Sequence, residues 1–263
     1  MTKVVFLGSG AAPGVPTVSC GWGNCDPNNP KNVRTRTTTY YEINGVKILV
    51  DTSPDLRQQL LNSKIYDVDC VLYTHAHFDH ISGIDDLREI NRRTCKPMPI
   101  FSIKKTIAEL KRRYGYMVIK DNEPKFYISK GGLVPKKIKA NHGFYFKGIK
   151  IMPLKLLGHN MESCGYIIND EIVHLGDFKA LAYSAIERIK EIDKKLKLMV
   201  IPLTMPTPHE HHVGLEEAMN YAEMFDVERV VFNHMAIECD YNAINESTPD
   251  YVTPAYDDMR LEW

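Results

Sequence analysis

The chain has 263 residues, 44% hydrophobic and 25% charged, the balance of a globular protein able to bury a full core. Lysine plus arginine and aspartate plus glutamate both number 33, so there is no general pull toward nucleic acid or an anionic membrane. No apolar run reaches bilayer-spanning length, and six scattered cysteines are too few for a disulfide scaffold.

Residues 1–8 carry too short an apolar run for a signal peptide, so a cytoplasmic protein is expected, with residues 3–7 as a first strand. Residues 11–32, rich in Gly, Pro and Asn, form a connection long enough to be either functional or mobile. Residues 37–43 and 46–50 flank Asn44-Gly45, a strong hairpin signal. Residues 51–54 then offer a helix start, with Leu56, Leu60 and Leu61 at helical spacing. Residues 68–73 read as a buried strand containing a buried thiol, Cys70. Ile84, Leu87 and Ile90 predict a helix close behind it. Residues 106–113 predict another, with Ile107 and Leu110 inward and a solvated basic face. From 136 to 175 the pattern is mostly strand, with hairpins around Lys147-Gly148 and Asn169-Asp170-Glu171. Residues 200–203 and 230–232 are buried strands separated by a helix over 215–225. No repeat or low-complexity linker divides the chain. The expectation is one α+β domain over 1–263, two packed sheets with helices outside.

Between a buried strand and a helix lies Thr74-His75-Ala76-His77-Phe78-Asp79-His80. Four potential metal ligands in six residues, on a rigid strand end, point to a metal site. Imidazole suits zinc and iron, and carboxylate adds affinity for manganese. His159, Asp177 and His234 each follow a β-rich run, which would present them at the same sheet edge as His75. Together they complete the donors of a site for two ions. His174 lies inside a strand and reads as structural, and His142 as a loop residue. At least one of His209, His211 and His212 is expected at the site, ahead of a helix whose N-terminus favours anions.

These residues resemble the metallo-β-lactamase superfamily, and more closely its PhnP-type branch of phosphoribosyl 1,2-cyclic phosphate phosphodiesterases. The resemblance runs from Leu7-Gly8-Ser9-Gly10 through 74–80, Leu157-Gly158-His159, Leu175-Gly176-Asp177 and His212 to Asn233-His234. It implies a four-layer αββα sandwich of two mixed sheets. It implies that His75, His77 and His159 hold one divalent ion, and Asp79, His80 and His234 the other. Asp177 would bridge the two, which would be Zn or Mn, with Fe possible. His212 would stand beside the scissile phosphate without binding metal. Catalysis would then rest on His212, Asp79 and Asp177, acting with a metal-bridging hydroxide on a small cyclic or nucleotide-like phosphodiester. A homodimer is implied as well. Thr74 and Asp51 are candidates to orient the imidazoles. Arg34 and Arg36 are either phosphate contacts or surface arginines.

The branch often carries a structural zinc held by three Cys and a His. Here Cys20 and Cys25 remain, but Trp22 and Ile237 stand at the other two positions. Two thiols do not close a tetrahedral site, even with Cys239 near, and no structural zinc is expected. Two other functions share the site. A ribonuclease Z-like enzyme would add a basic exosite arm, which the sequence lacks. A binding member, as in the branch linked to pyrroloquinoline quinone synthesis, would lack ligands that are present here. A thiolester or β-lactam hydrolase is a fourth option, the bridging aspartate favouring the thiolester.

Overall fold

The computed structural model describes residues 1–119 and 132–263. The first sheet is built from β1 (Thr2–Gly8), β2 (Thr38–Ile43), β3 (Val46–Val50), β4 (Cys70–Leu72), β5 (Met98–Ile103) and β6 (Leu133–Ile138). The second contains β7 (Phe144–Phe146), β8 (Ile149–Leu157), β9 (Cys164–Ile168), β10 (Ile172–His174), β11 (Ala180–Leu181), β12 (Leu198–Pro202), β13 (Val230–Asn233) and β14 (Val252–Pro254). The last strand, β15 (Met259–Glu262), returns to pair with β1. Strand order is β15-β1-β2-β3-β4-β5-β6 in one sheet and β11-β8-β9-β10-β12-β13-β14 in the other, with β7 beside β8.

Both sheets are mixed. In the first, β1, β2 and β3 pair antiparallel, whereas β3, β4, β5 and β6 run parallel. In the second, β8, β9 and β10 alternate, and β10, β12, β13 and β14 run parallel. The β2–β3 hairpin turns on Asn44 (φ 51°) and Gly45 (φ 80°). Two successive left-handed residues are what a tight hairpin needs, and Asn-Gly adopts them at low cost. Strand β4 is buried along its whole length, as expected for a parallel strand covered on both faces.

Among the described residues there are seven α-helices: α1 (Leu56–Asn62), α2 (Phe78–Ile81), α3 (Leu87–Thr94), α4 (Lys104–Arg113), α5 (Tyr183–Lys190), α6 (Leu215–Met224) and α7 (Tyr241–Glu246). Side chains from the facing sheets form the main core, among them Phe6, Tyr41, Ile48 and Leu72 against Ile151, Tyr166, Val173 and Phe232. A second cluster seals the outer face of the first sheet, where Leu56, Leu87 and Ile107 of α1, α3 and α4 meet Leu49, Val71 and Ile100. Ala185 and Ile189 of α5, with Ala218 and Ala222 of α6, join the core from the second sheet's side. The architecture is the four-layer αββα sandwich. Among the described residues, no helix is long and apolar enough to cross a membrane.

The expected elements differ in three places. The helix around 84–90 is broken into α2, a 3-10 turn at Ser82–Asp86 and α3. The break lets Gly83 approach the backbone of Ser53 so closely that a Cβ there would stand 1.9 Å from its carbonyl oxygen. Leu61 is 45% exposed, because only Leu56 and Leu60 face the sheet. The 11–32 connection is pinned to the body by a bridge from Val15 to Arg34 and by the Ala11 and Asn24 amides, which donate to Met235 O at 3.0 Å and Ile237 O at 2.9 Å.

Candidate metal centre

The site lies at one end of the sandwich, beyond the carboxyl ends of strands that run in a common direction within each sheet. Asp51 follows β3 and His75 comes shortly after β4. His159 comes after β8, Asp177 after β10 and His234 after β13. Open sheets present ligands at their carboxyl ends because loops there fan outward from a rigid base. The sequence reading expected one sheet edge. His75, His77, Asp79 and His80 come from the first sheet, and His159, Asp177 and His234 from the second. The centre therefore spans the mouth between the sheets. Asp51 (φ 61°) and His234 (φ 58°) are held in left-handed backbone. Such conformations cost about 1–3 kcal/mol and persist where surrounding structure imposes them.

All seven expected donors converge. The donor atoms of His75, His77 and His159 lie within 4.8 Å of one another, as do those of Asp79, His80 and His234. Asp177 stands between the groups, its Oδ2 4.0 Å from His75 Nε2, 3.6 Å from His80 Nε2 and 3.4 Å from His234 Nε2. In the first group His77 Nδ1 lies 2.8 Å from His75 Nε2 and 3.1 Å from His159 Nε2. Tetrahedral nitrogens about 2.0–2.1 Å from a zinc ion would be about 3.3 Å apart, so the spacing fits an ion. In the second group Asp79 Oδ2 is 3.2 Å from both His80 Nε2 and His234 Nε2.

The donor set also fits cations chemically. His80 Nε2 is buried without a hydrogen-bond partner, while its Nδ1 bonds to Asp51 Oδ2 at 2.8 Å and so turns Nε2 toward the site. Burial disfavours a charged His80, yet Asp79, Asp51 and Asp177 together outweigh it and hold its pKa well above the usual value. Burial likewise works against ionised Asp79 and Asp177, but the surrounding imidazoles keep both carboxyls well below the ordinary range. Desolvation pushes the pKa values of His75, His77 and His159 down, which favours the neutral imidazole that a metal ion requires. Buried carboxylates facing a cluster of imidazoles are a divalent-metal donor set.

Orienting contacts surround the ligands. Asp51 also accepts from the Thr74 amide and hydroxyl, each at 2.8 Å. Thr74 Oγ1 is 3.0 Å from His75 Nδ1, so one carboxylate organises two imidazoles. Thr204 Oγ1 lies 3.1 Å from both His212 Nδ1 and His234 Nδ1. Sequence reasoning missed Thr204, which carries no local signal beyond its place just past β12. His212 stands at the site, with a ring nitrogen within 4.8 Å of the donors of His159 and Asp177. Burial pushes its pKa down to about 4.

The remaining candidates separate cleanly. His174 is buried in the core, its Nδ1 2.7 Å from Tyr41 Oη. His142 is an exposed loop residue bonded to Ala140 O. His211 meets the His159 loop through Gly158 O at 3.3 Å, while His209 is exposed at the rim. Arg34 is not a surface or phosphate residue. It is 2% exposed, and its guanidinium bonds Cys239 O at 2.8 Å and Asn32 Oδ1 at 3.2 Å. Arg36 pairs with Asp55 at 3.1 Å. Cys25 is buried with its Sγ 3.8 Å from Arg34 Nη1, Cys239 is buried near Thr204, and Cys20 is exposed.

Fold and site together define a protein of the αββα class with a candidate metal centre. The chain belongs to the beta-lactamase superfamily, whose domain model matches residues 46–235. Within it the chain resembles the PhnP family. A crystal structure described as a new diphosphatase from that family shares 26% identity, covers 100% of this chain and 98% of that one, and superposes with a TM-score of 0.87. A protein named octanoyltransferase from Porphyromonas gingivalis is 28% identical over 98% of this chain. That alignment takes in only 51% of the relative, so this chain spans about half its length. Zinc-bound PqqB from Methylobacterium extorquens shares the fold, with 19% identity, a TM-score of 0.76 and coverage of 99% of this chain and 100% of that one.

Proposed function

We propose that the protein is a dinuclear metal-dependent phosphodiesterase acting on a small cyclic phosphate or nucleotide-like phosphodiester. The observation that carries this reading is Asp177, whose single carboxylate reaches both imidazole groups. A bridging carboxylate supplies the negative charge that keeps two cations close. Likeness to a diphosphatase of the PhnP family supports chemistry at phosphorus. His75, His77 and His159 would hold one ion, Asp79, His80 and His234 the other. Two divalent ions held there would supply Lewis-acid chemistry, lowering the pKa of water and offsetting negative charge on phosphate.

The chain's own groups supply the rest. Asp51 and Thr74 fix the tautomers of His80 and His75. Thr204 holds His212 by Nδ1, leaving the other ring nitrogen for substrate. His212 gives the leaving oxygen a hydrogen bond or proton as its bond to phosphorus breaks.

The test is metal analysis of the purified protein, followed by assay on bis(p-nitrophenyl) phosphate, 2′,3′-cyclic nucleotides, a nucleoside diphosphate and a tRNA precursor. Cleavage of the small diesters supports the reading. Cleavage of the tRNA precursor alone replaces it with a ribonuclease Z-like activity. One observation favours a second reading, thioester hydrolysis: the relative named octanoyltransferase spans nearly all of this chain. Octanoyl-coenzyme A in the same panel decides it.

A further inference from the structure

We propose that Lys179 and Glu217 act as a positioning pair that sets the His212 loop against the metal centre. The proposal rests on the role given above to His212. Lys179 comes two residues after Asp177, yet its side chain leaves that loop and crosses to the next. Its Nζ donates to Glu217 Oε1 and Oε2 at 2.6 and 2.7 Å, and to the main-chain carbonyl of His212 at 3.4 Å. Glu217 in turn accepts from the Gly214 amide at 2.9 Å, closing the first turn of α6. One lysine thus joins the Asp177 loop, the His212 carbonyl and the helix that follows His212.

The His159 loop meets the His212 loop through His211 Nδ1 to Gly158 O at 3.3 Å and His159 Nδ1 to His211 O at 3.4 Å, whereas the joints between the Asp177 and His159 loops are main-chain. The Lys179 amide donates to Leu157 O at 2.8 Å, and β11 pairs with the end of β8. Those bonds hold the Asp177 and His159 loops whatever side chain stands at 179. The His212 loop has main-chain bonds of its own, His209 N–H to His212 O at 3.3 Å and Leu215 N–H to Pro206 O at 2.8 Å, but its ties to the neighbouring loops run through side chains: Thr204 steadies its imidazole and Lys179 its carbonyl. Gly158 leaves room for this arrangement, since a Cβ there would lie 2.5 Å from Lys179 Cβ. The Lys179 and Glu217 side chains are 28% and 35% exposed, so the pair contributes little to stability. Its value is geometric. Misplacing a group near the reacting atoms by about 1 Å can cost about 100-fold in rate.

The experiment compares wild type, Lys179→Met, Lys179→Arg and Glu217→Gln as metal-loaded enzymes on bis(p-nitrophenyl) phosphate. Melting temperature and metal content are measured alongside. Lys179→Met should lower kcat about 10- to 100-fold, with KM within about twofold and metal content unchanged. Its melting temperature should stay within about 2 °C of wild type. Lys179→Arg should recover most of kcat. A second arm records imidazole carbon NMR signals of histidine-labelled, metal-free protein, which requires no activity. The His212 signal should shift in Lys179→Met while those of His142 and His174 stay in place. A Lys179→Met enzyme with wild-type kcat overturns the proposal, as does one that loses metal or an unmoved His212 signal. A wild type inactive on every phosphoester, with the His212 shift still seen, refutes the proposed reaction and leaves the positioning pair standing.

Discussion

Asp51→Asn tests whether the buried carboxylate behind the ligands matters as much as the ligands. Asp51 is 3% exposed and accepts three hydrogen bonds, from the Thr74 amide, the Thr74 hydroxyl and His80 Nδ1, all at 2.8 Å. Asparagine tolerates the left-handed backbone at this position, so the substitution isolates the side-chain chemistry. The amide keeps one acceptor for the Thr74 main chain. Its NH2 group then faces the His80 N–H, donor against donor. A hydrogen bond to a charged group contributes about 1.5–3 kcal/mol, and a buried unpaired donor costs a comparable amount. Passed to the metal, that predicts about 10- to 100-fold weaker binding at the ion held by His80. The metal-free protein should melt lower, by about 2–4 °C for each kcal/mol. Competition against a zinc chelator, with calorimetry on the metal-free form, measures both. A variant that keeps wild-type affinity for both ions would refute the claim that Asp51 orients His80.

Asp177→Ala should abolish hydrolysis and lower the metal content of purified protein, because its carboxylate stands against donor nitrogens of both groups. Elemental analysis that still finds the wild-type metal content would rule out a bridging role. His212→Ala should cut kcat by about 100- to 10,000-fold and leave metal content intact; loss of metal would make His212 a ligand. His174 predicts an acid limb in stability. Burial pushes its pKa down to about 3, against about 6.5 in the unfolded chain. Below pH 6.5 the unfolded state takes up a proton that the folded state refuses, so stability falls as pH falls from about 6.5 toward 3. The loss is about 2 kcal/mol at pH 5. His174→Gln should flatten the difference in melting temperature between pH 7 and pH 5, and an unchanged difference would show that His174 is not the source.

Much of the centre was legible because its residues sit at strand ends. His75, His77, Asp79 and His80 fall in six consecutive positions after a buried strand. His159, Asp177 and His234 each close a β-rich run, and strands of common direction end at one rim. What the sequence could not convey was long-range. Arg34 reads locally as an arginine at a strand start, but carbonyls more than 200 residues away accept from its guanidinium and draw it into the interior. Thr204 has no pattern of its own and gains its role because the His212 and His234 loops meet over it. The β5 strand, α5, α7 and the C-terminal β15 escaped notice as well. The α5 helix buries only two positions, Ala185 and Ile189. The β15 strand is four residues long, and its pairing with β1 spans the whole chain.

The most direct test of two ions cradled by these seven side chains is elemental analysis coupled to activity. Purified protein is stripped with a strong chelator, then titrated with zinc or manganese while hydrolysis of bis(p-nitrophenyl) phosphate is followed. Activity should vanish on stripping and return in full at about two ions per chain. Full activity after exhaustive removal of metal would contradict the account.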